Sequence, residues 1–178
     1  ALDRQVGADL GSSRSLAMLQ QSWRLLRDEP LTRTPEVGYA RYAAFIALLR
    51  ELITLVGDRS NLILDPDLDS YYVMDAVLLR LPEAQALIAH TLLVNEGLVP
   101  AAALQVDPRT ELVMSASLLR ANTDTLRRNL ATAYASTSST TLEARLEPVA
   151  AAHRSAVASL LASYHTTSAD PTRFLGER

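Results

Sequence analysis

Cysteine is absent from this chain of 178 residues, and so is lysine, all 17 basic residues being arginine. Without cysteine there can be no disulfide, no thiolate metal site and no cysteine nucleophile. The missing lysine reads as coding bias, and the missing cysteine leaves the compartment open. Aromatic residues make up only 5%. The longest apolar run, residues 43–49, falls far short of the roughly 20 residues that a membrane-crossing helix requires. No secretory signal is visible and the chain does not begin with methionine; the expectation is an excised soluble piece of a longer protein. The net charge of −3 offers no electrostatic footprint for nucleic acid.

Catalytic and cofactor signatures are missing too. The sequence has no H-E-x-x-H, no phosphate-binding glycine loop, no G-x-S-x-G and no haem-attachment motif. A di-iron bundle needs glutamate and histidine three residues apart on facing helices, and no such pair exists. Asp65, Asp67 and Asp69 have the spacing of the first three ligands of a calcium loop, but Ser70 stands where the turn glycine belongs and Ala76 where the bidentate acid belongs. We therefore expect no catalytic residue, no metal site and no cofactor in this chain.

What is present favours helices. Hydrophobic residues make up 48%, enough for a core, and alanine and leucine lead them, both strong helix formers. Two-residue alternation is weak throughout, so no strand competes. A first helix is predicted from Ser12 or Ser13 to Glu29, with Leu16, Leu19, Trp23 and Leu26 on its inner face and Pro30 as its end. Thr34-Pro35-Glu36 supplies a cap, a first-turn proline and an acid for a second helix to Val56. Its stripe is Tyr42, Phe45, Ile46, Leu49, Leu52, Ile53 and Val56, with Gly57 as a left-handed stop. Residues 58–64 form a connection whose Leu62, Ile63 and Leu64 are expected to tuck under the bundle.

The stretch Ser60 to Pro82, SNLILDPDLDSYYVMDAVLLRLP, holds the densest polar chemistry. Asp65 suits a helix cap, Pro66 the first helical position, and Asp67 and Asp69 the positive end of the helix dipole. Tyr71, Tyr72, Asp75, Leu78 and Leu79 then follow at helical spacing, which sets a carboxylate on a mostly apolar face. A buried carboxylate must find partners. Tyr71, Tyr72 and the arginines Arg50 and Arg80 are the nearest. Asp75 is read as a structural hydrogen-bond node, and with Tyr71, Tyr72 and Arg80 as the candidate wall of a ligand pocket.

Pro82 interrupts this helix or opens the next, which carries Leu87, Ile88, Leu92 and Val94, places His90 at the surface or the core edge, and stops near Gly97. After a loop, Asp107-Pro108 repeats the cap-and-proline device. The helix it opens should reach Ser136 with a heptad seam of Leu112, Ala116, Leu119, Thr123, Leu126, Leu130, Ala133 and Thr137. Thr140 and Glu143 have capping-box spacing. The last helix, to about Ser168, is expected to turn Leu142, Leu146, Val149, His153, Ala156, Leu160, Ser163 and Thr167 inward, with Pro148 as a possible bend. His153 is read as a hydrogen-bonded core residue, with a pH switch as the alternative. Asp170-Pro171 and the Arg173-Phe174-Leu175 tail close the chain. The fold expected is an all-α, up-down bundle of about six helices, with two stacked four-helix modules sharing long helices as a variant, in a single domain over residues 1–178.

DPDLDSYYVMD, with SNLIL before it and LRLPE after it, resembles a segment of the extracytoplasmic all-helical sensor domains of bacterial transmembrane receptors. The match covers about two dozen residues. The resemblance implies a periplasmic input domain of an inner-membrane protein, homodimeric, with its first and last helices running into membrane spans. It implies a small-molecule ligand, in chemoreceptors an organic acid, and an output module such as a sensor histidine kinase. Chemoreceptor and diguanylate cyclase outputs are the alternatives, and a helical scaffold without a small ligand is the reading from another class.

Overall fold

The computed structural model describes residues 3–28 and 35–168, and among them every regular element is helical. The protein is all-α. Its elements are α1 (Asp3–Val6), α2 (Ser13–Asp28), α3 (Pro35–Arg59), a 3₁₀ turn (Leu62–Leu64), α4 (Leu68–Asp75), a π-helical turn (Ala76–Arg80), α5 (Leu81–Asn95), a second 3₁₀ turn (Ala101–Ala103), α6 (Pro108–Ser136) and α7 (Leu142–Ser168). They form two compact units, Ala1–Asp67 and Leu68–Arg178. The division falls inside the aspartate motif, and no described helix belongs to both units. The expected end at Pro30, the Thr34 cap and the tail from Asp170 lie outside the described residues.

In the first unit α2 packs on α3. Leu19 is buried, and Leu16 and Leu26 are half-buried. Trp23 departs from its expected core position: it is 48% exposed and leans on Phe45, with ring centroids 5.6 Å apart. The predicted stop at Gly57 is also replaced. The α3 backbone continues to Arg59, with Ser60 N–H still reaching the Val56 carbonyl at 3.0 Å. The left-handed residue is Asn61, at φ 59°; asparagine tolerates that conformation because its short polar side chain bonds locally. Leu62, Ile63 and Leu64 do not tuck inward but are 45%, 39% and 75% exposed.

The second unit is built around α6, which packs against α4, the π turn and α5 on one flank and α7 on the other. Asp65 accepts the Asp67 N–H at 3.0 Å, and Asp69 accepts the Ser70 N–H at 2.8 Å. Regular helix begins at Leu68, two residues later than the Pro66 start predicted. Pro82 neither breaks the helix nor begins a new one. Leu81 N–H bonds the Ala76 carbonyl, a five-residue step, and the chain runs on as one 28-residue helix from Leu68 to Asn95. Proline lacks an N–H and its ring crowds the preceding turn; the wider π turn just before it relieves that conflict without ending the helix. By length and composition alone this helix is long and apolar enough to cross a membrane, although polar residues interrupt its apolar runs.

Gly97, at φ +67°, ends α5 as predicted. Leu98 N–H returns to the Leu93 carbonyl at 2.8 Å and Gly97 N–H to Val94 at 3.0 Å, the paired bonds of a Schellman ending. Asp107 caps α6 as expected, accepting the Thr110 N–H at 3.0 Å and its hydroxyl at 2.6 Å. The predicted seam of α6 is buried at Leu112, Leu119, Thr123, Leu126, Leu130 and Ala133.

Two details of α7 differ from expectation. It starts at Leu142, so the residue preceding it is Thr141 and not Thr140. The turn before it is stitched by Ser139 N–H to the Thr137 hydroxyl and Thr141 N–H to the Ser139 hydroxyl. Its inner face also rotates: Ala150, Val157, Leu161 and Tyr164 are buried while Val149 is 69% exposed. Ala150 packs with Ala76, Leu126 and Leu130. From Leu146 to Tyr164 this inner face closes five turns in 18 residues, the pitch of a straight α-helix, whereas a strict heptad drifts off the interface unless the helices supercoil.

Candidate functional site

Asp75 reaches the interior on the last turn of α4, where it is 6% exposed. Its Oδ2 accepts from Arg80 Nε at 3.2 Å and from Asn129 Nδ2, on α6, at 2.7 Å. Of the candidate partners Tyr71, Tyr72, Arg50 and Arg80, the structure supplies Arg80, on the same continuous helix and not on another one; Arg50 belongs to the first unit. Five residues apart on an α-helix are about 140° apart around the axis, too far to pair. The π turn between them brings the two groups onto one side. Tyr71 and Tyr72 pack edge to face, with centroids 5.3 Å apart at 77°, and the hydrogen bonds of Asp75 go to Arg80 and Asn129 instead of to these rings.

The node extends further than the sequence indicated. Arg80 also approaches Glu83 at 3.4 Å, and Glu83 accepts from Asn122 at 2.7 Å. Above it, His90 meets Glu111 at 2.8 Å. Below it, the Thr137 hydroxyl beside Asp69, helped by the Ser70 N–H, holds the Asp69 carboxyl below its ordinary range. Asp69–Thr137, Asp75–Asn129, Glu83–Asn122 and His90–Glu111 are thus four polar rungs joining the Leu68–Asn95 helix to an antiparallel α6. Sequence reasoning missed Asn122, Asn129 and Glu83. The available signal was the seven-residue spacing of the two asparagines, one position away from the apolar seam.

On its other flank α6 meets α7 across two adjoining recesses. One, of about 210 Å³, is lined by Leu112, Ala116, Arg120, Leu161 and Tyr164 among others. Its neighbour, of about 400 Å³, shares Arg120 and Leu161 and adds Thr123, Asp124, Arg154, Val157 and Ala158. Tyr164 is 4% exposed and its buried hydroxyl has no hydrogen-bond partner; burial, then the Glu96 charge, raises its pKa. Arg154 bonds Glu147 at 2.5 Å and holds that carboxyl below its ordinary range. His153, half-buried on the same helix, has its pKa lowered by burial and then by Arg154, and its buried Nδ1 has no partner, so the expected core hydrogen bond is not formed there. A third recess, along Arg50, Glu51, Thr54 and Asp58, is lined by α3 alone and has no opposing wall.

These recesses are lined by residues other than Tyr71, Tyr72, Asp75 and Arg80. Among the described residues no group of three or more histidine, aspartate or glutamate side chains is placed to hold a metal ion. Compared with family models, curated proteins and solved structures, the chain finds no match in any of the three.

Proposed function

We propose that this chain is the extracytoplasmic, ligand-sensing input domain of a bacterial membrane-anchored receptor, with a sensor histidine kinase as its output. In this reading the domain is periplasmic, works as a homodimer, and binds a small molecule. The single observation that carries it is the polar interface between the Leu68–Asn95 helix and α6. A receptor must pass between two packings of the same helices. An apolar jigsaw resists such a shift, whereas Arg80 already serves two carboxylates and α6 offers two asparagines two turns apart. The likeness of the DPDLDSYYVMD segment to receptor sensor domains points the same way.

The test uses the parent gene and the absence of cysteine. Hydrophobic spans should flank this region, with a signalling module beyond. In the membrane-embedded parent, Val77→Cys, on the exposed side of the apolar helix (56% exposed), should react with a membrane-impermeant maleimide added from the periplasmic side. Protection of that cysteine by the bilayer, or a parent gene without spans, would refute the reading. A second reading, a helical partner-binding module, is favoured by one observation: Val77, Leu81 and Leu92 leave an apolar flank of the Leu68–Asn95 helix exposed. Saturable stabilisation of the purified domain by a single small molecule would remove it.

A further inference from the structure

We propose that the larger α6–α7 recess binds a small zwitterion, an α-amino acid or a close analogue, with Arg120 and Arg154 taking the carboxylate and Asp124 the ammonium. This deepens the sensory reading and rests on it. The recess of about 400 Å³ is within the range of small-molecule sites. Its floor is apolar, from Val157 and Leu161, both buried. Its rim carries charges of both signs: Arg120 and Asp124 one turn apart on α6, and Arg154 facing them from α7. Arg120 and Asp124 make no hydrogen bond or ion pair with another described residue, although an i,i+4 pair on a helix can meet. Arg154 directs one guanidinium nitrogen to Glu147, which orients the fork and leaves further donors for a ligand. Next door, in the recess that shares Arg120, the unpartnered Tyr164 hydroxyl sits in a buried position, where an unmet polar group is costly and a ligand's polar substituent would satisfy it.

A plain organic acid needs only the arginines. The acidic residue on the same rim is what selects a compound that also carries an ammonium, because a dicarboxylate would face Asp124 with like charge.

The experiment is isothermal titration calorimetry of the purified chain with each of the proteinogenic α-amino acids, each N-acetylated counterpart and each des-amino acid. The expected result is saturable binding of one amino acid or a chemically related group. N-acetylation and removal of the amino group should each weaken it about tenfold or more, the loss of one charge-assisted contact. Arg120→Gln should weaken it by a similar factor. Asp124→Asn should weaken the amino acid and leave the des-amino acid within about twofold. Both residues are exposed, so the variants should keep the parent melting temperature. Failure of every amino acid to bind, or affinities unchanged in both variants, overturns the assignment. If a different small molecule stabilises the domain while the amino acids do not, this site falls and the sensory reading stands. If the parent gene lacks membrane spans while the amino acid binds as described, the sensory reading falls and the site stands.

Discussion

Replacing Asp75 with alanine removes the centre of the polar ladder and leaves Asn129 and Arg80 facing an apolar methyl group. Two interactions are lost and they differ in weight. The Asn129 amide donates to a buried carboxylate at 2.7 Å, a bond to a charged acceptor worth about 1.5–3 kcal/mol net. Arg80, at 3.2 Å, has a side chain 29% exposed, so water already screens it and its share falls toward the roughly 0–1 kcal/mol of a surface pair. Together they predict a loss of about 2–4 kcal/mol. For a chain of this size that corresponds to a fall in melting temperature of roughly 5–15 °C.

Asp75→Asn keeps the shape and one acceptor oxygen, and should cost about 1 kcal/mol. The assay is thermal and urea unfolding followed by circular dichroism, with a double-mutant cycle pairing Asp75→Ala with Asn129→Ala. The two substitutions should be strongly non-additive, with a coupling of about 1–2 kcal/mol. Additivity to within about 0.5 kcal/mol, or a loss from Asp75→Ala below about 1 kcal/mol, would refute the claim that this carboxylate fastens the two helices.

The remaining predictions test other links. Leu119 is 0% exposed at the middle of α6, and Leu119→Ala should cost about 2–5 kcal/mol in urea unfolding. At Gly97 a Cβ would meet nothing within 4 Å while φ is +67°, so Gly97→Ala should destabilise through backbone strain alone, by about 1–2 kcal/mol. His153 has a folded-state pKa lowered below its ordinary 6.5, by burial first and by Arg154 second. The unfolded chain therefore binds a proton that the folded chain refuses. Stability should be fully present above pH about 6.5 and decline as the pH falls from there through the lower folded-state value. His153→Gln should remove that part of the slope, which a series of urea midpoints at stepped pH would reveal.

Much of the fold was legible because helix signals are local. Asp107 caps α6 through bonds to a residue three positions on, and Gly97 ends α5 because only its own backbone must turn left-handed. The α6 seam was legible for a related reason: Leu112, Leu119, Thr123, Leu126, Leu130 and Ala133 recur at helical spacing within one uninterrupted helix. Elsewhere the same signals failed. Gly57 permits a left-handed turn without requiring one, and the chain turned at Asn61 instead. Val149 and Ala150 are adjacent and both apolar, and which of them faces inward depends on how closely α6 approaches, a contact that admits alanine.

The site divides in the same way. That Asp75 is buried and paired follows from the pattern of residues 68–82, since a carboxylate on an apolar helical face has to find a partner. That one partner is Arg80, five positions on, required the π turn ahead of Pro82, a backbone choice that propensity does not resolve. The rungs from Glu83 and Asp75 to α6 reach 39 and 54 residues along the chain, and the recess sets Arg120 against Arg154 across two helices. Composition and short-range periodicity determined by themselves that this protein is helical and where most helices start and stop, because hydrogen bonds four residues apart and single-residue caps decide those features. Which faces meet, which charges pair and where a cavity opens were decided only by the tertiary structure, because those interactions join residues whose separation in sequence carries no periodic trace.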